Sequence, residues 1–213
     1  MEQELLAAGV KIYQHQINDA GYHIEETEKR PEFLLMRLYI KGLGLEIGTG
    51  TNRLSPTVLG IDNYNHADAD MVFDCAPEEN GQQYYQPYPF KDERFDFVFS
   101  SHVLEDFKPI VLQIVFDEWL RLVKKGGYLI LLVPDMEGKR YPDWDEVFTE
   151  EDEEVKSGKR KVNELKGNPS HHCTMGLTLL HKLQQESKYK SEIVCEDTVP
   201  HTTMTLDFVL RKL

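Results

Sequence analysis

Residues 44–50 read Gly44-Leu45-Glu46-Ile47-Gly48-Thr49-Gly50, a short apolar run that ends in two glycines separated by one residue. Only glycine lets the backbone turn tightly there and come close to a bound ligand. A Gly-x-Gly turn at the end of a first parallel strand is where doubly wound α/β folds hold nucleotide-like cofactors. The Glu46 carboxylate would repel a pyrophosphate and attract an ammonium or hydroxyl group, which already restricts the choice of cofactor.

Outward from this turn, short apolar runs alternate with polar connections, which is the pattern of strands in an α/β protein. The runs predict strands at 43–47, 57–61, 70–73, 95–99, 128–133, 192–195 and 206–210. The run at 128–133 is apolar on both faces, as expected of a central parallel strand. We therefore predict an α/β fold with a Rossmann-like, doubly wound, mostly parallel sheet and a C-terminal antiparallel hairpin.

Two helices are predicted in the core and the C-terminal part. The first covers 108–123; Lys124 and Lys125 at its end suit the helix dipole, and Gly126-Gly127 stop it. Its predicted apolar face consists of Ile110, Ile114, Trp119, Leu120 and Val123. The second helix covers 175–187, with Ser170 or Thr174 as its N-cap.

The length of 213 residues indicates a single domain over 1–213. We expect a helical cover at 1–41, a ligand-binding core at 43–135, an insert at 136–170 and a C-terminal helix with strands at 171–213. The insert contains an acidic run at 150–154 followed by a basic run at 156–166, which predicts a self-complementary, solvated segment.

The net charge of −13 disfavours broad contact with nucleic acid or anionic lipid. No apolar run approaches the length of a membrane span, and the N-terminus lacks a secretory signal pattern, so we expect a cytoplasmic protein. The odd set of Cys75, Cys173 and Cys195 has no metal-type spacing, which favours free thiols and no metal site.

Polar residues follow four successive predicted strands, and such strand ends share one edge of an open sheet. They are Glu46 with the glycines, Asp62, Asp74, and Ser100-Ser101-His102. Any single carboxylate there is more often a turn former than a ligand. Together they suit a ligand made of adenosine and an amino acid, since Asp62 can take both ribose hydroxyls and Asp74 can accept from the adenine amine.

With these motifs the chain resembles the class I S-adenosylmethionine-dependent methyltransferases, in particular type 11-like members with a short connection after the glycine motif. The matching segments are Leu45-Glu46-Ile47-Gly48-Thr49-Gly50, Gly60-Ile61-Asp62, Phe73-Asp74-Cys75, Tyr88-Pro89-Phe90, residues 95–105 and residues 119–130. The resemblance implies methyl transfer from S-adenosyl-L-methionine.

The resemblance also implies a set of cofactor-binding residues. Glu46, Gly48 and Gly50, with Thr49 between the glycines, would line the methionine and ribose. Asp62 would bind the ribose hydroxyls, and Asp74 with the backbone of Cys75 would hold the adenine. Ser100, Ser101 and His102 would lie beside the sulfonium and the entering substrate.

The sequence departs from this family at two points. Asp62 comes only 12 residues after Gly50, so the first connecting helix must be shortened or lost. Asp106 stands where many relatives have a second histidine. A dinucleotide dehydrogenase is disfavoured, because its third glycine would fall at Arg53.

Methyl transfer needs a base only if the acceptor must lose a proton, and His102, His171 and His172 are the candidate catalytic residues, with Asp135 and Tyr141 as further candidates. The insert at 136–170 is expected to be a lid over the substrate. The predicted acceptor is a small molecule, such as a saccharide or another metabolite. The alternatives are a protein or RNA methyltransferase and a non-catalytic protein that binds the cofactor or a partner.

Overall fold

The computed structural model describes residues 38–50, 53–55, 57–64, 69–198 and 204–213. The predicted helical cover at 1–41 lies outside these residues apart from 38–41. The strands are β1 (Gly44–Ile47), β2 (Leu59–Asp62), β3 (Met71–Val72), β4 (Glu78–Glu79), β5 (Gln82–Gln83), β6 (Phe95–Ser101), β7 (Val123–Pro134), β8 (Ser191–Glu196) and β9 (Thr205–Lys212). The helices are α1 (Pro109–Leu122), α2 (Glu153–Lys156) and α3 (Leu177–Glu186), with a 3-10 turn at Leu104–Asp106.

Within the described residues, seven strands form one sheet in the order β3-β2-β1-β6-β7-β9-β8. The pairs from β3 to β7 are parallel, and β9 pairs antiparallel with both β7 and β8. The predicted α/β fold with a mostly parallel sheet and a C-terminal antiparallel hairpin is therefore confirmed. Strand order reverses between β1 and β6, where Ile47 lies beside Ser100, so a ligand site is expected at these two strand ends.

The core has two parts because alternate residues of the central strands face opposite sides of the sheet. Phe99 of β6 and Ile130 of β7 belong to one buried cluster. Val98 and Leu129, their chain neighbours, belong to the other, which also contains Trp119 of α1 and Leu180 of α3. Both α1 and α3 thus cover the same face of the sheet.

The predicted helix at 108–123 is found to within one residue at each end, but the residues after it do not act as predicted. Helix α1 ends at Leu122, and Lys124 lies in β7, where its Nζ contacts Asp96 Oδ1 at 2.7 Å rather than a helix terminus. Gly127 is also part of β7, and a Cβ there would lie 2.5 Å from the Asp96 carbonyl oxygen. The glycine therefore allows close approach of two strands instead of stopping a helix.

The predicted apolar face of α1 is wrong in its first half. Ile110 and Ile114 are 66% and 46% exposed, while Trp119, Leu120 and Val123 are buried as predicted. Val111 and Val115 lie one position further along and are buried instead. Both sets have helical spacing, so periodicity alone did not distinguish them.

The N-cap of α3 also differs from the prediction. Gly176 occupies this position and makes no side-chain capping bond, so neither Ser170 nor Thr174 is the cap. The cap comes from a remote part of the chain, since the backbone N–H of Thr178 donates to Glu137 Oε2 at 2.9 Å. The two-stranded hairpin of β4 and β5 was not predicted at all.

The insert at 136–170 is held together by its own charges. Lys166 contacts Asp152 at 2.8 Å, and Lys156 contacts Glu153 at 2.8 Å, so the acidic and basic runs pair with each other. Arg140 fastens the start of the insert to the sheet by pairing with Asp135 and donating to the Asp197 carboxylate. No helix among the described residues is long and apolar enough to cross a membrane.

Candidate active site

A cavity of about 350 Å³ lies at the carboxyl ends of β1, β2, β3 and β6. Seven residues predicted from the sequence line it: Gly48, Gly50, Asp62, Asp74, Cys75, Ser101 and His102. Its wall also contains residues that sequence reasoning did not assign to a site, chiefly Gln83, Tyr88, Val103, Asp106 and Phe107. The structure thus brings most of the predicted ligand-binding residues together in one place.

The glycine turn, defined here as Gly48, Thr49 and Gly50, follows β1 directly. Gly48 has a φ of 79°, and a Cβ on it would lie 2.1 Å from Val103 Cγ2. Gly50 has a φ of 53°, and its N–H donates to Asp62 Oδ2 at 2.9 Å. The turn therefore needs glycine at its first position for space as well as for backbone geometry.

The carboxylates after β2 and β3 are oriented by backbone N–H groups. Asp62 is 6% exposed, and its Oδ1 accepts from the N–H of Tyr64 at 3.0 Å. Asp74 Oδ1 accepts from the N–H of Ala76 at 2.8 Å. Hydrogen bonds from backbone N–H groups fix the direction of a carboxylate, so both side chains are preorganised acceptors. Burial raises the pKa of the neighbouring Cys75 thiol to about 12, which keeps it neutral.

Three predicted cofactor residues are buried outside the cavity wall: Glu46, Thr49 and Ser100. Glu46 Oε2 accepts from the N–H of Leu54 at 2.8 Å, so this carboxylate holds the short connection after the glycine turn. The same connection is clamped by Arg53, which pairs with Asp70 and donates to the carbonyl of Val58. This clamp stands where a longer connecting helix would otherwise support the turn.

The segment that follows β6 contributes to the acidic cluster, which we define as His102, Glu105, Asp106 and His171. His102 and Asp106 line the cavity, while Glu105 and His171 are buried next to them. His102 has a φ of 55°, uncommon for a residue other than glycine, and its Nδ1 lies 3.4 Å from Glu105 Oε1. Glu105 is 0% exposed, and neither carboxylate oxygen has a hydrogen-bond partner in the described part of the chain. His171 Nε2 lies 3.7 Å from Glu105 Oε1 and 3.9 Å from Asp106 Oδ1.

Burial and charge shift the proton affinities of this cluster. Burial and the neighbouring Glu105 raise the pKa of Asp106 to about 7, against a smaller opposing effect of His102. Burial lowers the pKa of His171, so its imidazole is neutral at physiological pH. Burial, Glu105 and Asp106 together raise the pKa of the Tyr141 phenol, whose ring centroid lies 5.4 Å from that of His171.

The other candidate bases lie differently. The backbone N–H of His172 donates to the Glu105 carbonyl at 2.7 Å, which ties the end of the insert to the 3-10 turn, but its ring does not line the cavity. Asp135 is paired with Arg140 and accepts from the N–H of Gly138 at 2.8 Å. No group of three metal-binding side chains occurs among the residues that the structure describes.

Sequence reasoning noted Asp106 only as a departure from a family pattern. The signal it passed over is a pair of adjacent carboxylates, Glu105-Asp106, within five residues of the end of β6 at Ser101. The place of Gln83 in the cavity wall could not be predicted, because Gln83 belongs to the hairpin of β4 and β5, which the sequence did not indicate.

The comparisons with known proteins agree with this geometry. Residues 45–131 match the family model of the methyltransferase domain. These residues form a class I S-adenosylmethionine-dependent methyltransferase domain. The methyltransferase belongs to the enzyme class EC 2.1.1.-, and S-adenosyl-L-methionine is its methyl donor. No curated protein matches the chain in sequence.

Solved methyltransferase structures share the fold. The CcbJ methyltransferase of Streptomyces caelestis is 13% identical, with a TM-score of 0.55 over 94% of this chain and 100% of that chain. A possible histamine N-methyltransferase of Thermotoga maritima is 17% identical, with a TM-score of 0.52 over 100% and 94%. The 1,6-didemethyltoxoflavin-N1-methyltransferase of Burkholderia thailandensis is 12% identical, with a TM-score of 0.50 over 88% and 78%. At these identities the likeness establishes the fold.

Proposed function

We propose that this methyltransferase acts on a small-molecule acceptor, such as a metabolite or a saccharide. The observation that carries the proposal is the acidic cluster, of which Asp106 and His102 line a cavity of about 350 Å³. Carboxylates beside the reacting centre would repel the phosphates of a nucleic acid, and the net charge of −13 acts in the same direction.

The cofactor is proposed to lie along the glycine turn. Asp62 would accept from the ribose hydroxyls, and Asp74 with the Cys75 backbone would hold the adenine. The backbone around Gly48 and Ser101 would face the methionine part. The sulfonium supplies an activated methyl group with a good leaving group, so the protein mainly aligns donor and acceptor and excludes water.

The insert at 136–170 is proposed to close the acceptor side. His171 directly follows its last residue and belongs to the acidic cluster, and Tyr141 near the start of the insert lies beside His171. Changes in the insert should therefore act on the acceptor rather than on the cofactor. The cytoplasmic location expected from the sequence stays a prediction.

Two of the solved relatives offer a parallel for a small acceptor. The Thermotoga protein is described as a possible histamine N-methyltransferase, and the Burkholderia enzyme was solved with 1,6-didemethyltoxoflavin and S-adenosylhomocysteine bound. Histamine and 1,6-didemethyltoxoflavin are both small molecules, of a size that a cavity at the strand ends can admit.

Calorimetric titration with S-adenosylmethionine and S-adenosylhomocysteine tests the cofactor site. Asp62→Ala should weaken binding by about 10- to 100-fold, since a bidentate hydrogen-bond acceptor is lost. Glu186→Ala, which removes an exposed carboxylate from α3, is the matched control and should bind like wild type. Equal affinity of wild type and Asp62→Ala would contradict the proposed site.

The acceptor class is tested by measuring S-adenosylhomocysteine release with a panel of small molecules, and separately with total RNA and protein fractions. Turnover with small molecules that persists at high salt supports the proposal. Turnover only with RNA, falling steeply as salt rises, would establish the RNA alternative. Cofactor binding without release of product from any fraction would favour the non-catalytic alternative.

A further inference from the structure

We propose that Asp106 is the catalytic base of this enzyme and that its acceptor is an amine, which enters the cavity as an ammonium ion. The inference rests on the proposed function, because it names the substrate class of the same cavity. It goes beyond the histidines that the sequence suggested as bases.

Position is the first support. Asp106 lines the cavity, and its side chain is 43% exposed, so a ligand can touch it. Its Oδ1 is buried and has no hydrogen-bond partner among the described residues. The groups that face it are Glu105 on its own turn, His102 at the end of β6, and His171 with Tyr141 from the insert.

The second support is that, among the described residues, no lysine or arginine side chain pairs with Glu105 or Asp106. Glu105 is fully buried directly beside Asp106, without a hydrogen bond to either carboxylate oxygen. In the described part of the chain, the basic side chains within 4 Å of the Glu105 and Asp106 carboxylates are the imidazoles of His102 and His171. A buried carboxylate of this kind is costly unless a positive charge or a proton joins it. Asp106, which lies next to Glu105 and lines the cavity, therefore gives this part of the cavity wall a surface that favours a cation.

Charge balance then selects the acceptor. Proton transfer from an ammonium ion to the Asp106 carboxylate converts two opposite charges into two neutral groups, which a poorly solvated site favours. Transfer from a hydroxyl group would leave an alkoxide next to Glu105, and the like charges would repel each other. The same cluster that helps to deprotonate an amine therefore opposes deprotonation of an alcohol.

The step is balanced within the groups named. The ammonium N–H bond breaks, its proton goes to the Asp106 carboxylate, and the electron pair stays on nitrogen. This pair forms the new N–C bond to the methyl group of S-adenosylmethionine, while the C–S bond breaks and its electrons stay on sulfur. A proton remains on Asp106 and leaves to solvent when the product departs. Glu105 is a positioning residue that acts by raising the basicity of Asp106.

A sulfonium is also a cation, so the cluster could instead serve the cofactor. The two sources differ in one respect: S-adenosylhomocysteine lacks the positive charge. If the cluster held the sulfonium, Asp106→Asn would weaken S-adenosylmethionine and leave S-adenosylhomocysteine unchanged. If it serves the acceptor, both affinities stay within about twofold of wild type.

The experiment compares wild type, Asp106→Asn, Asp106→Glu and the control Glu186→Gln. Each is assayed for S-adenosylhomocysteine release with primary and secondary amines, alcohols, phenols and thiols, over about pH 6 to 10. We expect wild type to use amines, with kcat/KM rising as pH passes about 7. Asp106→Asn should lose about 100-fold near pH 7.5 and recover most of this loss near pH 10, where the amine is neutral in solution. Asp106→Glu should restore part of the activity, and Glu186→Gln should match wild type.

Three results would overturn the inference. The first is wild-type preference for hydroxyl or thiol acceptors, and the second is an Asp106→Asn deficit that is the same at every pH. The third is a selective loss of S-adenosylmethionine affinity in Asp106→Asn. In each case small-molecule methyl transfer still stands. Absence of turnover with every small molecule would instead remove the proposed function, and the inference with it.

Discussion

The glycine turn and the acidic cluster lie at the ends of neighbouring strands, β1 and β6, beside one cavity. They differ in whether their buried carboxylates receive backbone hydrogen bonds. Beside the turn, Glu46 and Asp62 are buried and accept backbone N–H groups at 2.8 to 3.0 Å. In the cluster, Glu105 is equally buried and accepts none in the described part of the chain. Asp106 has a pKa raised to about 7 by burial and by Glu105.

This difference separates binding from chemistry. A carboxylate that accepts N–H bonds is held in one direction, which suits the recognition of hydroxyl and amine groups. Asp106, with its pKa raised to about 7, binds a proton near neutral pH, which suits proton transfer. Two walls of one cavity can thus hold the cofactor and act on the acceptor with the same type of side chain.

The strongest disruption of the glycine turn should come from Gly48→Ala. The new Cβ would overlap Val103 Cγ2, which lies 2.1 Å from its ideal position, and the φ of 79° disfavours any side chain. We expect cofactor affinity to fall by at least about 100-fold, because the turn must shift to relieve the overlap. Calorimetry with S-adenosylhomocysteine measures this loss.

Gly50→Ala is the matched control for this prediction. Its φ of 53° costs about 1 kcal/mol for a residue with a side chain, but no atom lies within 4 Å of the new Cβ. Its effect should therefore be much smaller than that of Gly48→Ala. Equal losses in the two variants would show that backbone geometry, rather than contact with Val103, decides the turn.

A smaller effect, restricted to the acidic cluster, is expected from shortening the insert. Replacing 150–162 with a short Gly-Ser linker removes the Lys166 contact with Asp152 and the helix α2. The acceptor KM should rise by about tenfold, while cofactor affinity stays unchanged, because the insert carries Tyr141 and leads directly into His171. Steady-state kinetics with calorimetry as a parallel measurement separates the two effects, and unchanged kinetics would refute the lid.

The smallest effect concerns the stability of the ligand-free protein. Asp106 keeps its proton up to about pH 7 when folded, whereas an unfolded aspartate loses it near pH 4. The folded state therefore binds more protons between these values, and the contribution of Asp106 to stability is lost as pH rises through 7.

Asp106→Asn removes this pH-dependent penalty. After a discount for the exposed part of the side chain, we expect about 1 kcal/mol, or a melting temperature about 2–4 °C above wild type at pH 8. The gap should close near pH 4, where both side chains are neutral. Melting curves for wild type, Asp106→Asn and Glu186→Gln at the two pH values test this; a gap that does not change with pH would argue against the raised pKa.

Much of the fold could be predicted because its signals are local. The apolar run before Gly48 and the run at 128–133, which is apolar on both faces, form central strands because that position buries their side chains. The apolar face of α1 was predicted wrongly at Ile110 and Val111, because both lie in sets of apolar residues with the same helical spacing. The N-cap of α3 was predicted wrongly because the donor, the N–H of Thr178, and the acceptor, the Glu137 carboxylate, are 41 residues apart in the sequence.

The sequence by itself determined the parallel sheet, the glycine turn and the strand-end carboxylates, since glycine geometry and apolar alternation act within a few residues. Only the tertiary structure decided which carboxylates would be given hydrogen-bond donors. Glu46 meets the N–H of Leu54, while Glu105 meets the rings of His102 and His171, and His171 comes from a segment 66 residues further along the chain. Desolvation and charge proximity are properties of that assembly, so the chemistry of Asp106 could not be read from its neighbours in sequence.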